Sequence, residues 1–140
     1  RLHPLHRLRG DRRRDWDAWD GVLRKVGLDG EVAWTRTIAG DGHDEVTGVT
    51  AGSHGTIFVT GYTESERLHG HSTHGGGDLF VAAYSRSGIR HWTRLVGDCN
   101  QQQGVDIAAD QSGVYVLANF RANDVPCPEG TPAAVTEGNL

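Results

Sequence analysis

His69-Gly-His71-x-x-His74, followed by Asp78, is the densest set of side chains in this 140-residue chain that could do chemistry. Neutral imidazoles suit transition metals, so the spacing reads first as a metal cluster. Its stretch is rich in Gly and offers no evident groups to orient the rings, and the competing reading is a solvated loop. Asp41, Asp44 and Glu45 form a second cluster whose carboxylate oxygens suit calcium. It lacks the twelve-residue loop and terminal Glu of an EF-hand, and capping of a chain corner is the competing use. Beyond calcium, no cofactor is expected. No GxSxG, HExxH or supported Cys–His pairing occurs, so no catalytic residue is assigned within the chain.

Elements that could position these clusters follow from a self-match at a spacing of 58. Asp20, Gly30, Trp34-Thr35-Arg36, Ala51 and Gly55 return as Asp78, Gly88, Trp92-Thr93-Arg94, Ala109 and Gly113. A period of that length, filled by strand-like segments, marks a tandem array of β-units. Within one unit, 46–51, 56–63, 79–84 and 89–96 read as four strands, rich in β-branched and aromatic residues and separated by turn signals. The chain thus holds one whole four-stranded unit, 46–96, with half of another on each side. The third copy ends about where its third strand should begin. Fewer than about three complete units rarely stand alone, so the chain is expected to be part of a larger array.

Strand patterns refine the architecture. The second and third strands are apolar on successive residues, as in strands covered on both faces. The fourth alternates and carries Arg36, Arg90 and Arg94, which protect an outer edge from aggregation. Doubly covered inner strands with a charged outer edge describe a blade of a β-propeller, whereas a sandwich would alternate in most strands and a solenoid would use a shorter period. Connections between first and second and between third and fourth strands are tight turns at Gly30, Gly55, Gly88 and Gly113, where a positive φ is favoured. The others, 39–45, 64–77, 97–104 and 121–140, are long. In an up-and-down meander this elaborates one end of the sheet and trims the other, and functional surface belongs to the elaborated end. Asp110 is placed to bond the turn amides before Gly113, and Trp34 and Trp92 supply apolar area between units.

Charge is uneven. Residues 1–14 hold six Arg against one Asp, and they match nothing in the repeats, which reads as a linker or non-native segment. The remaining chain, 15–140, has eight basic and seventeen acidic residues and would repel a phosphate backbone, so no nucleic-acid partner is expected. No apolar run is long enough to span a bilayer. Cys99 and Cys127 lack zinc-site spacing. By loop parity both fall at the elaborated end, which makes them candidates for a disulfide; two reduced thiols are the alternative.

Asp78-Leu-Phe-Val-Ala-Ala-Tyr-Ser-Arg-Ser-Gly88, Trp92-Thr-Arg-Leu-Val-Gly97 and Gly104-Val-Asp-Ile-Ala-Ala-Asp-Gln-Ser-Gly-Val-Tyr-Val116 together resemble the bacterial seven-bladed β-propeller repeat abbreviated SBBP. The resemblance covers 20–120 and departs at Ala118, where the family usually has Gly, and at Gly21, where it has an apolar residue. It implies a large secreted or surface-exposed bacterial protein whose repeats bind or scaffold, with an unknown protein or carbohydrate ligand and further blades as partners. It implies no shared catalytic residues. Val22 to Trp34 also resembles the Gly-x-x-x-Trp end of quinone-binding propeller blades. The alternative function is therefore a fragment of a propeller enzyme, a hydrolase, lyase or quinone-dependent dehydrogenase, with catalytic residues mostly outside this chain.

Overall fold

The computed structural model describes residues 19–74, 76–98 and 100–121, with the backbone of 135–136. Residues 1–14, Cys99 and Cys127 lie outside the described residues, and with them the linker and disulfide expectations. The described residues hold eleven strands: β1 (Gly21–Val26), β2 (Val32–Ile38), β3 (Asp44–Ala51), β4 (Ile57–Thr63), β5 (Arg67–Leu68), β6 (His71–Ser72), β7 (Asp78–Tyr84), β8 (Arg90–Val96), β9 (Gln101–Ala109), β10 (Val114–Arg121) and β11 (Val135–Thr136). The only helical element among the described residues is a single 3-10 turn, Ser53–Gly55. The fold is all-β; among the described residues every pairing is antiparallel and none of the sheets closes into a barrel.

β3, β4, β7 and β8 form a four-stranded meander over the span expected from the sequence. Burial explains the order. Every residue of β7 is buried, as are the last five of β4, whereas β3 and β8 alternate. One face carries Val59, Phe80, Ala82, Tyr84 and Leu95, packed under Ile38 and Leu23 of the β1–β2 hairpin. Across the other face runs β9, close enough that a Cβ on Gly104 would stand 2.3 Å from Thr60 Oγ1 and 2.7 Å from Leu79 Cδ1. Thr47 Oγ1 donates to the Gly104 carbonyl at 2.7 Å, fixing β9 along the sheet. Each large apolar side chain enclosed this way contributes roughly 1.5–3 kcal/mol, which needs both flanking hairpins in place.

The two hairpins repeat the pairing of the meander. Lys25 faces Trp34 and Ala83 faces Trp92, and each pair is followed by the same irregularity, which skips Ala33 in one and His91 in the other. Ala51 faces Ile57 and Ala109 faces Val114, with Thr47 and Val105 skipped alike. β10 corresponds to β4 at a spacing of 57 rather than 58, because residues 52–56 connect β3 to β4 but only 110–113 connect β9 to β10. A bulge raises local twist, so a hairpin that keeps the bulge of its counterpart in the central sheet is suited to stack on that sheet.

Two features depart from the sequence reading. Residues 64–77 are not simply a solvated loop: β5 and β6 form a small hairpin whose Leu68 is fully buried in the core. Leu68 is the only strongly apolar side chain in that stretch, and its turn, His69 and Gly70, has φ of 53° and 85°, the geometry of a two-residue hairpin loop. Within 121–140, read as a long connection, Val135–Thr136 pairs with the outer edge of β8 and adds a fifth strand to the central sheet.

Gly61 and Gly113 test the packing. A Cβ on Gly61 would lie 2.0 Å from the Glu45 carbonyl and 2.9 Å from the Phe80 ring, whereas Gly113 has open space and no positive φ. Gly61→Ala is expected to lower unfolding stability by about 3 kcal/mol or more. Gly113→Ala should leave it unchanged or raise it by about 0.5 kcal/mol. Denaturant titration of both variants checks this.

Candidate functional site

Turns and long connections segregate as the meander requires. At one end sit the short turns, with φ of 90° at Gly30, 78° at Gly55 and 89° at Gly88. Gly113 is not in the positive region. Its turn is closed instead by Asp110 Oδ1, which accepts from the Ser112 amide at 2.7 Å and the Gly113 amide at 3.1 Å. The Ser112 hydroxyl, which also donates to Oδ1 at 2.8 Å, and after it the Ser112 amide hold the Asp110 carboxyl below the usual range. The same end carries a lock between sheets. Trp34 Nε1 donates to the Arg86 carbonyl at 3.0 Å and Arg36 Nε to the Gly88 carbonyl at 2.6 Å, while the Arg36 guanidinium lies 5.3 Å from the Trp34 ring centre. Trp92, the counterpart of Trp34, lies 6.1 Å from the Phe58 ring.

At the opposite end the long connections interlock. The Asp44 amide donates to the Trp19 carbonyl at 2.7 Å, and 58 positions on, the Gln102 amide donates to the Gly77 carbonyl at 3.0 Å. Asp20 and Asp78 each follow the accepting residue and begin or adjoin the third strand of their sheet. Sequence reasoning found Asp44, Asp20 and Asp78 but not Gln102, Thr63, Ser65 or Trp19; the spacing that links Asp44 to Gln102 was the signal that marks this junction.

Asp44 is buried and saturated. Oδ1 accepts from Thr63 Oγ1 at 2.5 Å, Oδ2 accepts from the Gly40 amide at 2.8 Å, and Ser65 Oγ lies 3.0 and 2.9 Å from the two oxygens. Burial raises its pKa against the pull of these bonds. Asp44 thus pins the corner, whereas Asp41 Oδ1 accepts from the Glu66 amide at 2.9 Å.

The histidines also separate. His74 contacts Asp78 Oδ2 through its amide at 2.9 Å and its ring Nδ1 at 2.7 Å. His69 Nδ1 lies 2.6 Å from Thr93 Oγ1, on the fourth strand. Burial, with the nearby charges of Arg90 and His71, pulls His69 down to about 4, so its imidazole is neutral at neutral pH. Among the described residues no group of three or more His, Cys, Asp or Glu is placed to hold a metal.

Asp78 is the unusual member. Its Oδ1 and the Oε1 of Gln102 are both buried with no hydrogen-bond partner among the described residues, and both lie within 3 Å of where a Cβ on Gly97 would stand, at 2.6 and 2.9 Å. Two acceptors thus face one small volume, while Gln102 Nε2 donates to Asp98 Oδ1 at 2.8 Å. Burial raises the Asp78 pKa, opposed by the bonds from His74.

Beside this corner runs an aromatic series, Trp19, His43 and Tyr62, with ring centres 6.2 and 6.1 Å apart. Tyr62 donates to Glu64 and accepts from Gln101 Nε2 at 2.8 Å, and burial together with the Glu64 bond pushes its pKa up to about 12. Trp19 is 59% exposed. No protein-family model matches the chain, and neither does any curated protein sequence.

Two outcomes follow from the carboxylates and His69. In Asp78→Asn the amide oxygen can keep the His74 bonds while Nδ2 donates toward Gln102 Oε1, so stability at neutral pH should hold or rise by about 1 kcal/mol. Asp44→Asn sets an amide donor against the donors it now accepts and should cost about 1–3 kcal/mol. For His69, the folded pKa lies below the unfolded value of about 6.5, so the unfolded state takes up the proton first. Its contribution, present above about pH 6.5, is lost as pH falls toward about 4 and amounts to about 3 kcal/mol at most. His69→Asn, which tolerates the positive φ, should flatten that part of the stability profile. Chemical denaturation of these variants across pH measures both.

Proposed function

We propose that the chain is part of a β-propeller of the SBBP-like kind, acting as a non-catalytic extracellular module that binds or scaffolds. In this reading β3, β4, β7 and β8 are one complete blade, β1–β2 the outer half of the preceding one and β9–β10 the inner half of the next. The observation that carries it is the repeated junction. The Asp44-to-Trp19 and Gln102-to-Gly77 bonds join each sheet to its successor at equivalent positions, and the two faces of the central sheet are covered by hairpins that repeat its own two halves, β1–β2 the β7–β8 pairing and β9–β10 the β3–β4 pairing. A stack built by one repeated step is how a propeller is assembled.

The extracellular setting comes from the family resemblance. Binding belongs to the elaborated end, where exposed Trp19 and the bond from buried Tyr62 to exposed Glu64 give a platform on otherwise long connections. A carbohydrate fits this surface, since stacking on an exposed indole and hydrogen bonds to carboxylates are the contacts sugars make.

The protein, screened by calorimetry against neutral and acidic polysaccharides, is expected to bind one class, and Trp19→Ala should weaken that binding about tenfold, equal to about 1.4 kcal/mol. Undiminished binding by Trp19→Ala moves the site away from this platform. Turnover of chromogenic glycosides, esters or uronides would replace the module with the enzyme reading.

A further inference from the structure

β1 and β10 each use one edge for pairing, β1 with β2 and β10 with β9, and among the described residues nothing pairs with the other edge of either. The chain's own residues 135–136 lie against β8 instead. In the central sheet the corresponding strands, β7 and β4, pair with each other from Ile57 opposite Tyr84 to Thr63 opposite Asp78. Carrying that register across places Val114 opposite Val26, Val116 opposite Arg24, Leu117 opposite Leu23 and Ala118 opposite Val22.

From this geometry we infer that β10 of one copy of the protein pairs with β1 of a second copy, so that two half sheets complete one four-stranded sheet between chains. This rests on the reading of the chain as stacked, repeated sheets. The side chains at the seam are matched in size. Gly61 opposite Phe80 leaves no room for a Cβ, with ring carbons at 2.9 Å. At the inferred seam the partner of Ala118 is Val22, and the added methyl is met by a smaller neighbour. Above the sheet, Gly104 lies against Leu79, whereas Val46 lies against Gly21, its Cγ1 2.7 Å from where a Cβ would stand, so large and small have changed places.

A seat for the incoming strand is already present. Val22, Leu23 and Arg24 of β1 and Val46, Val49 and Val59 of the central sheet line an open groove of about 350 Å³. Leu117, now 63% exposed, would enter it at the position where Thr60 is fully buried beneath β9. Tyr115, 56% exposed, would lie beside the second copy's Trp34, as Phe58 lies beside Trp92. Val22 and Val49 lose their exposure of 51% and 58% in the same step. Donor edge and acceptor edge differ, so the contact is head-to-tail and propagates until a ring closes.

Paired single-cysteine variants in a Cys99→Ser, Cys127→Ser background test the register. Val116→Cys mixed with Arg24→Cys should form an interchain disulfide under oxidation, because directly opposed Cβ atoms lie about 5 Å apart. Val116→Cys mixed with Lys25→Cys, which points to the other face, should not. Equal cross-linking of the two mixtures, or none in either, overturns the pairing. The unaltered chain supplies a second measurement that needs no cysteine change. By light scattering it should associate with rising concentration, and Leu117→Glu, at a position exposed in the single chain, should return it to a monomer with unchanged circular dichroism. An unaltered chain that stays monomeric overturns the proposal. If such a monomer still binds polysaccharide through Trp19, the module reading stands without the pairing. Register-specific cross-links in a chain that binds no polysaccharide support the pairing and count against that reading of the platform.

Discussion

The structure depends on one constraint: β4 and β7 are apolar on both sides and cannot face water on either. A single sheet with two buried faces has no stable existence without cover, and the covering layers must themselves be sheets of matching twist. Everything else is placed to satisfy this. Trp34 and Arg36 fasten the preceding hairpin to the short turn at Arg86 to Gly88. Thr47 and the Gln102 amide fasten the following hairpin. Gly104 lets that hairpin come within van der Waals range of Thr60 and Leu79.

The polar corners repay a different cost. Strands that enter a dry interior bring backbone donors and acceptors with them, and the long connections must satisfy these before turning. Asp44 does so for the first junction by serving Gly40, Thr63 and Ser65. At the second junction the equivalent position is Gln102, whose amide donates outward to Asp98 and leaves its oxygen facing Asp78. The two corners share a backbone bond but differ in side-chain chemistry, so Asp44 is satisfied while the other corner holds two acceptors without a partner among the described residues.

Much of the fold was legible because it rests on features that recur: the spacing of Trp34 and Trp92, the unequal patterns of the strands, and the turn residues at Gly30, Gly55 and Gly88. Meander order and loop polarity followed from these. What was not legible came from single residues acting once. Leu68 gives no periodic signal, yet it anchors the β5–β6 hairpin. The shift from 58 to 57 at β10 comes from one residue in a turn, and Gly113 therefore adopts an ordinary conformation, with Asp110 supplying the closure. The His and Asp clusters looked alike as spacings, but ligand geometry depends on where strands send side chains. Asp44 is directed inward while Asp41 stays on the loop, and His69 and His74 are taken by Thr93 and Asp78.

The exchange of large and small between Leu79 over Gly104 and Gly21 under Val46 has a consequence for how such a chain can change over time. Units that look interchangeable by period are keyed to their neighbours, because a unit ending in Leu79 meets Gly104 while one ending in Gly21 accommodates Val46. A duplication or reordering that set Val46 over Leu79 would crowd the interior, and one that set Gly104 over Gly21 would leave a void. The order of units is thus written into the packing itself, which allows sequence divergence within each position but resists shuffling among them.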